Sequence, residues 1–148
     1  MYLIVICVVG FCVLIAGLIR MRHLRSKREL EEFSIDPDAL RELLDSNQIV
    51  LYDVRQPLDF LAYAEIIPGA TRIAPKDLVE QTAHLARDQD SVIYCTCIND
   101  ATSRMILSKA RALQFTRVKL LKGGLAAWKE KGYPVEPYDK PFHLDTAS

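Results

Sequence analysis

The sequence has no excess of either charge and few cysteines. Its 148 residues carry 19 basic and 19 acidic side chains, which give a formal net charge of zero. A chain without a basic balance does not have the composition of a general nucleic-acid binder. Its four cysteines are too few for a disulfide scaffold. The sequence has no internal repeat or low-complexity segment, and half of its residues are hydrophobic, so one packed domain of ordinary size is expected.

Charge is also missing from the start of the chain. No side chain in the segment 1–19 (MYLIVICVVGFCVLIAGLI) is charged. A helix of that length spans about 28 Å, roughly the hydrocarbon thickness of a bilayer. A cleaved signal peptide would have basic residues before the apolar run and a small-x-small site after it, whereas here the basic residues follow the run. The segment is therefore predicted to be a single membrane-spanning helix rather than a cleaved signal.

The residues after this helix predict its orientation. The segment 20–33 begins with a basic cluster, and residues 1–30 hold five basic side chains against Glu29 alone. By the positive-inside rule, the C-terminal part of the chain then faces the cytoplasm. We interpret 20–33 as a basic juxtamembrane tether. Gly10 and Gly17, one heptad apart, leave a homodimer through the bilayer open but do not support one.

Short apolar runs alternate with helical patterns between residues 34 and 137. Buried strands are predicted at 49–52, 91–95 and 118–121, with a short strand at 71–73 after a turn at 66–70. Helices are predicted at about 37–44, 57–64, 76–86, 101–113 and 124–128. Strands that alternate with helices favour an α/β domain with a central, mostly parallel sheet covered on both faces. Residues 138–148 are predicted to be a flexible tail.

A cysteine stands where the strand at 91–95 ends. Ligands of open α/β sheets collect outside the carboxyl ends of the strands, and Cys95 occupies such an end. The loop after it leads into a predicted helix, so that several backbone N–H groups can converge on the sulfur. Such a nest lowers the pKa of a thiol, which predicts a thiolate nucleophile near neutral pH. The predicted active-site loop after Cys95 consists of Thr96, Cys97, Ile98, Asn99, Asp100, Ala101 and Thr102.

Five motifs between about Asp36 and Glu136 resemble those of the rhodanese family of sulfurtransferases in order and spacing. They are LYDVR (51–55), IPGA (67–70), VIYC (92–95), LKGGLAAW (121–128) and GYPV (132–135). The resemblance implies a rhodanese-like three-layer α/β domain with a central parallel sheet. It also implies a catalytic cysteine at the base of the active-site loop, which takes up a sulfane sulfur as a persulfide and passes it to a thiol or another small nucleophile.

The loop departs from the pattern of that family. Family members commonly have six loop residues counting the cysteine, with an arginine at the sixth. The preceding strand favours Cys95 as this cysteine, whereas counting back from Gln114 and Phe115 reaches Cys97, so Cys97 is a second or alternative thiol. Counted from Cys95, the sixth residue is Asp100. No guanidinium group is then available at this position to hold the sulfonate end of thiosulfate.

Three functions are compatible with these residues. The first is a membrane-anchored sulfurtransferase that works through a Cys95 persulfide. Its partners are a sulfur donor, an acceptor and the bilayer around residues 1–19. The second is a rhodanese-fold binding or regulatory module that transfers sulfur weakly, and the third is a thiol redox protein that uses Cys95 with Cys97.

The remaining motif residues have structural interpretations. Asp53 and Arg55 are expected to fix strand and loop ends by hydrogen bonds. Gly123 and Gly124 are expected to serve turn geometry or a close backbone approach. No cofactor or nucleic-acid partner is predicted. No metal site is predicted either, because the part of the chain after the predicted membrane helix has no second cysteine pair with which Cys95 and Cys97 could complete a zinc site.

Overall fold

The computed structural model describes residues 2–73, 88–96, 100–112 and 114–139. The chain divides into two units, Met1–Glu32 and Phe33–Ser148. The predicted helix at 76–86 lies outside the described residues, and so does most of the predicted tail.

The first unit is one helix, α1 (Tyr2–Glu32). The helix continues through the predicted tether, because residues 20–32 contain no proline or glycine that would break it. Apolar side chains along α1 are exposed, and they include Val8, Phe11, Val13, Leu14, Ile15, Leu18 and Ile19. In the part of the chain that the structure describes, no helix is both long enough and apolar enough to cross a membrane.

Five parallel strands form the central sheet of the second unit. In spatial order they are β1 (Ser34–Ile35), β6 (Val118–Leu121), β5 (Ser91–Tyr94), β2 (Val50–Asp53) and β4 (Thr71–Arg72). The register pairs Leu51 with Val92 and Ile93 with Leu120. β5 is the middle strand and all of its residues are buried, as expected for a parallel strand covered on both faces. The predicted central parallel sheet is confirmed.

Four helices of this unit are described, α2 (Pro37–Asp45), α3 (Pro57–Ala62), α4 (Asp100–Ala112) and α5 (Gly124–Glu130). Both α2 and α3 begin with proline, whose fixed φ suits the first helical position and whose missing N–H is not needed there. The predicted helices at these four places are present, although their ends differ by a few residues.

A second, two-stranded sheet differs from the sequence prediction. β3 (Glu65–Ile66) pairs antiparallel with β7 (Glu136–Pro137), where the sequence predicts the start of a turn and the end of the domain. The turn is present immediately afterwards, since the Ala70 N–H donates to the Ile67 carbonyl over 3.0 Å. Gly69 supplies the positive φ of 80° that the third residue of such a Pro-Gly turn requires.

Tyr138 belongs to the packed domain and not to the predicted flexible tail. Its backbone N–H donates to the Ala64 carbonyl over 2.9 Å. Its ring packs edge-on against Phe60, with 4.8 Å between the ring centroids. The predicted tail is therefore wrong at its first residue, because the pairing of β7 with β3 carries the chain back onto the domain.

The hydrophobic core joins the sheet to α2 and α5. Leu40 on α2, Leu51 on β2 and Trp128 on α5 belong to one buried cluster. Trp128 has no exposed surface, and its indole N–H donates to the Pro134 carbonyl over 2.8 Å. The buried indole fixes α5 against the domain, and the first turn of α5 is part of the site described next.

Candidate functional site

The carboxyl ends of β2 and β5 form the edge at which the candidate site lies. In the sheet, β2 and β5 are neighbours. The chain continues from β2 to β4 on one side and from β5 to β6 on the other, so the connections that leave these two strands run in opposite directions. A crevice opens at such a switch point of an open α/β sheet. Asp53 and Tyr94 are register partners at the last positions of the two strands. Cys95 is the next residue of the chain.

Cys95 follows β5 directly, because the strand ends one residue earlier than the predicted strand 91–95. The residue is 8% exposed and forms no disulfide with any described residue. Its place at the end of a central strand fixes the backbone on one side of the sulfur. Among the other predicted loop residues, Thr96 is described, Cys97, Ile98 and Asn99 lie outside the described residues, and Asp100, Ala101 and Thr102 begin α4.

A buried hydroxyl group stands next to this cysteine in the chain. Thr96 Oγ1 has no hydrogen-bond partner among the described residues. A buried hydroxyl without a partner costs about 1–3 kcal/mol, and such groups call for a specific explanation. Among the described residues, the Thr96 hydroxyl therefore keeps an unused donor one residue after the cysteine.

The start of α5 lies directly against Cys95. The Leu125 N–H donates to the Cys95 carbonyl over 3.2 Å. Gly124 has a φ of 57°, and a Cβ atom built on it would overlap the Cys95 carbonyl oxygen and stand 3.0 Å from the carbonyl carbon. Gly123 has a φ of 68°. The sequence predicts that this glycine pair serves turn geometry or a close backbone approach. Gly123 shows the first and Gly124 shows the second.

A buried ion pair holds the end of β2. Neither Asp53 nor Arg55 has exposed surface. Arg55 Nε donates to both carboxylate oxygens of Asp53 at 3.0 and 2.9 Å, and Nη2 donates to Oδ2 at 2.5 Å. The same guanidinium group donates from Nη1 to the Tyr63 carbonyl at 2.8 Å and from Nη2 to the Glu65 carbonyl at 2.6 Å. These bonds tie the end of β2 to the start of β3, which is the structural role expected of the pair.

Tyr94 connects this ion pair to the strand that carries the cysteine. Its hydroxyl donates to Asp53 Oδ2 over 3.1 Å and accepts from the Ile67 N–H over 3.2 Å. Burial and then the neighbouring Asp53 carboxylate raise the pKa of Tyr94 far above its usual value. The phenol therefore stays protonated and keeps donating to Asp53.

Arg72 and Phe60 complete the cluster around Asp53. The guanidinium groups of Arg55 and Arg72 lie 4.6 and 4.8 Å from the centroid of the Phe60 ring. Arg72 Nη1 donates to the Asp53 carbonyl at 3.2 Å and lies 3.8 Å from Oδ1 of the same residue. Burial lowers the pKa of Arg72, and the Asp53 charge opposes this shift. Sequence analysis missed Tyr94, Phe60 and Arg72, because the pairing of β2 with β4 and β5 and the position of α3 bring them together.

The functional groups at this edge suit nucleophilic chemistry at sulfur. They are a buried thiol, a hydroxyl without a partner among the described residues, and a backbone held by hydrogen bonds on both sides. A thiol held at a fixed position on the protein backbone can act as a covalent nucleophile. Within the described ranges, no group of three or more His, Cys, Asp or Glu side chains lies close enough together to hold a metal ion.

The chain resembles several known proteins. A profile described as the rhodanese-like domain matches residues 36–131. An uncharacterized protein of Synechocystis is 32% identical over 102 residues, which are 69% of this chain and 55% of that protein, so the chain spans about half of its relative. A sulfurtransferase of Allochromatium vinosum is 28% identical over 102 residues, covering 68% of this chain and 92% of that one. A rhodanese-like domain of Anabaena, solved by NMR, is 27% identical with a TM-score of 0.60, covering 76% of this chain and 87% of that one.

Proposed function

The chain belongs to the rhodanese-like domain family, and from this premise we propose that it is a sulfurtransferase that carries sulfur as a persulfide on Cys95. The observation that carries the proposal is the position of Cys95. It is a buried cysteine, not in a disulfide, that directly follows the middle strand of a parallel sheet and lies against the start of α5. The relative from Allochromatium that is named a sulfurtransferase supports the same reaction class.

The reaction consists of two displacements at sulfur. In the first, the Cys95 thiolate attacks the outer, sulfane sulfur of a donor. The new S–S bond forms on Cys95 while the S–S bond of the donor breaks, and the donor leaves with the electron pair as a thiolate or as sulfite. In the second, a thiol or cyanide attacks the outer sulfur of the persulfide and Cys95 leaves as the thiolate. No external oxidant or reductant is required.

The sequence of the loop favours donors that are not sulfonates. Asp100, the first residue of α4, stands where the family commonly has an arginine. A fixed guanidinium group would hold the sulfonate of thiosulfate through paired charge-assisted hydrogen bonds, and a carboxyl group offers none to an anion. We therefore expect a low rate with thiosulfate and a higher rate with persulfide donors.

Intact-mass measurement of the full chain in a non-ionic detergent tests the proposal. Incubation with glutathione persulfide should add the mass of one sulfur atom per chain, mapped to the peptide that contains Cys95. Cyanide should then remove it and release thiocyanate. The variant Cys12→Ser serves as the control, because Cys12 is an exposed free thiol on α1 and should not carry the sulfur.

A second candidate is a binding or regulatory module with the same fold. Asp100 favours this second function, because it occupies the sixth loop position, where rhodanese-family sequences commonly have an arginine. If neither glutathione persulfide nor thiosulfate adds sulfur to Cys95 in a folded chain, this second function replaces the first.

We also propose that the uncharged segment 1–19 anchors the domain in a membrane, with the second unit facing the cytoplasm. This proposal rests on the sequence, since the described part of α1 does not qualify as a membrane span. Residues 1–19 contain no charged side chain, and the apolar side chains from Val8 to Ile19 that the structure describes are exposed. The basic cluster from Arg20 onward favours the cytoplasmic side. Burial of so many apolar side chains in lipid would remove them from water.

Labelling with a membrane-impermeant maleimide tests this topology in intact cells. Because Cys95 is buried, the exposed reporter Glu130→Cys is used, in a chain whose natural cysteines are serine. We expect labelling only after the cells are permeabilised, together with recovery of the chain in the membrane fraction. Labelling of intact cells would place the second unit outside, and recovery in the supernatant after alkaline washing would contradict the anchor.

A further inference from the structure

The geometry points to Gly124 and Leu125 as positioning residues for the nucleophile, an inference that rests on the proposed function. We propose that the first turn of α5 acts as a clamp, which holds the Cys95 backbone just after the end of β5, and that glycine at position 124 is what permits the contact. The clamp sets where the sulfur stands when it attacks a donor.

The contact consists of one hydrogen bond and one close approach. The Leu125 N–H donates to the Cys95 carbonyl over 3.2 Å. A Cβ atom on Gly124 would stand 3.0 Å from the Cys95 carbonyl carbon and 3.7 Å from its nitrogen, and it would overlap the carbonyl oxygen. Such separations leave no room for a side chain, so the two backbones are in direct van der Waals contact.

The neighbouring glycine shows that this constraint belongs to Gly124 itself. A Cβ atom on Gly123 would meet the Cβ of Ala127 at 2.5 Å, within α5, and no atom of Cys95. A Cβ atom on Gly132 would meet nothing within 4 Å. All three glycines have φ between 57° and 73°, so they share the conformational requirement and differ in what lies beside them.

The clamp completes the fixation of the residue that carries the sulfur. On the N-terminal side, Tyr94 is held by the sheet register with Asp53 and by the hydroxyl bond to its carboxylate. On the C-terminal side, the Cys95 carbonyl is held by Leu125. A nucleophile displaced by about 1 Å can lose roughly a hundredfold in rate, so this double fixation bears directly on the attack.

The substitution Gly124→Ala, compared with Gly132→Ala, tests the inference in the full chain in detergent. Both variants place alanine at a positive φ, but only Gly124→Ala pushes against Cys95. We expect Gly124→Ala to slow persulfide formation from glutathione persulfide by about 10- to 100-fold. It should also speed alkylation of Cys95 by iodoacetamide several-fold, because a displaced Cys95 backbone holds the buried thiol less firmly. Gly132→Ala should change neither rate, once both are normalised to the folded fraction.

Two results separate the failure of the inference from the failure of the proposed function. Equal persulfide and alkylation rates in the two variants would overturn the clamp while the sulfurtransferase stands. A wild-type chain that never takes up sulfur, with alkylation still faster in Gly124→Ala, would overturn the function while the clamp stands.

If Gly124→Ala does not fold, the wild-type chain gives the answer. The Leu125 amide should exchange slowly with deuterium, and its exchange rate should shift when Cys95 is alkylated, whereas the Gly132 amide should not respond. A Leu125 amide that exchanges at the same rate before and after alkylation would overturn the proposal.

Discussion

Cys95→Ser should abolish both persulfide formation and sulfur transfer to cyanide, the largest functional effect that we expect. Serine keeps the size of the side chain, but its hydroxyl is not a nucleophile toward sulfane sulfur and cannot hold a persulfide. Cys97→Ser should keep a measurable fraction of both activities, because only Cys95 directly follows the central strand β5. The measurement is thiocyanate release at one pH for the wild type and the two variants.

The fluorescence of Trp128, the one tryptophan of the chain, serves as the folding control for these variants. Its indole is fully buried against the domain, so an unchanged spectrum shows that the activity was lost without loss of the fold. An inactive Cys97→Ser beside an active Cys95→Ser would show that the nucleophile is Cys97 and that the loop was counted from the wrong cysteine.

Arg55→Leu should lower the free energy of unfolding by about 3–5 kcal/mol, which is typical when one partner of a buried ion pair is removed. The substitution leaves the fully buried Asp53 carboxylate without its bidentate partner and leaves the carbonyls of Tyr63 and Glu65 without their donors. Arg55→Lys should recover only part of the loss, since an ammonium group cannot reproduce the planar fork. Urea unfolding of the full chain in detergent, followed by Trp128 fluorescence, measures the effect.

The matched control is Arg117→Leu, which breaks an ion pair of the same type at the surface. Arg117 Nε donates to Asp90 at 2.7 Å, but both side chains are more than half exposed, so little stability should be lost. If Arg55→Leu costs no more than Arg117→Leu, the buried pair does not hold the end of β2 in the way we infer.

The sequence predicts the central sheet and the place of Cys95 because these depend on local patterns. Continuous apolar runs specify the buried parallel strands β2, β5 and β6. The helix-spaced apolar residues between these strands specify the helices that cover the sheet. Once β5 is identified, the residue after Tyr94 must lie at the carboxyl edge. The two prolines that begin α2 and α3 also act locally, so these helix starts could be predicted.

Features that depend on distant pairing could not be predicted in this way. β1, β3 and β7 are two residues long, too short for any period to appear, and they become strands only by pairing with distant partners. The burial of Arg55 also depends on partners brought together by the fold, because an arginine after a strand usually reaches solvent. The closeness of Gly124 to Cys95 requires the three-dimensional position of α5.

The pairing of β1 with β6 has a consequence for how the protein is made. Ser34 and Ile35 find their register partners in Leu120 and Leu121, near the other end of the domain. During synthesis, β1 therefore has no neighbour in this sheet until β6 has also emerged. In the order β1-β6-β5-β2-β4, β2 can pair first with β4 and then with β5 as these strands emerge, whereas β1 must wait for β6. Until β6 has been translated, the nascent domain exposes unpaired strand edges to chaperones.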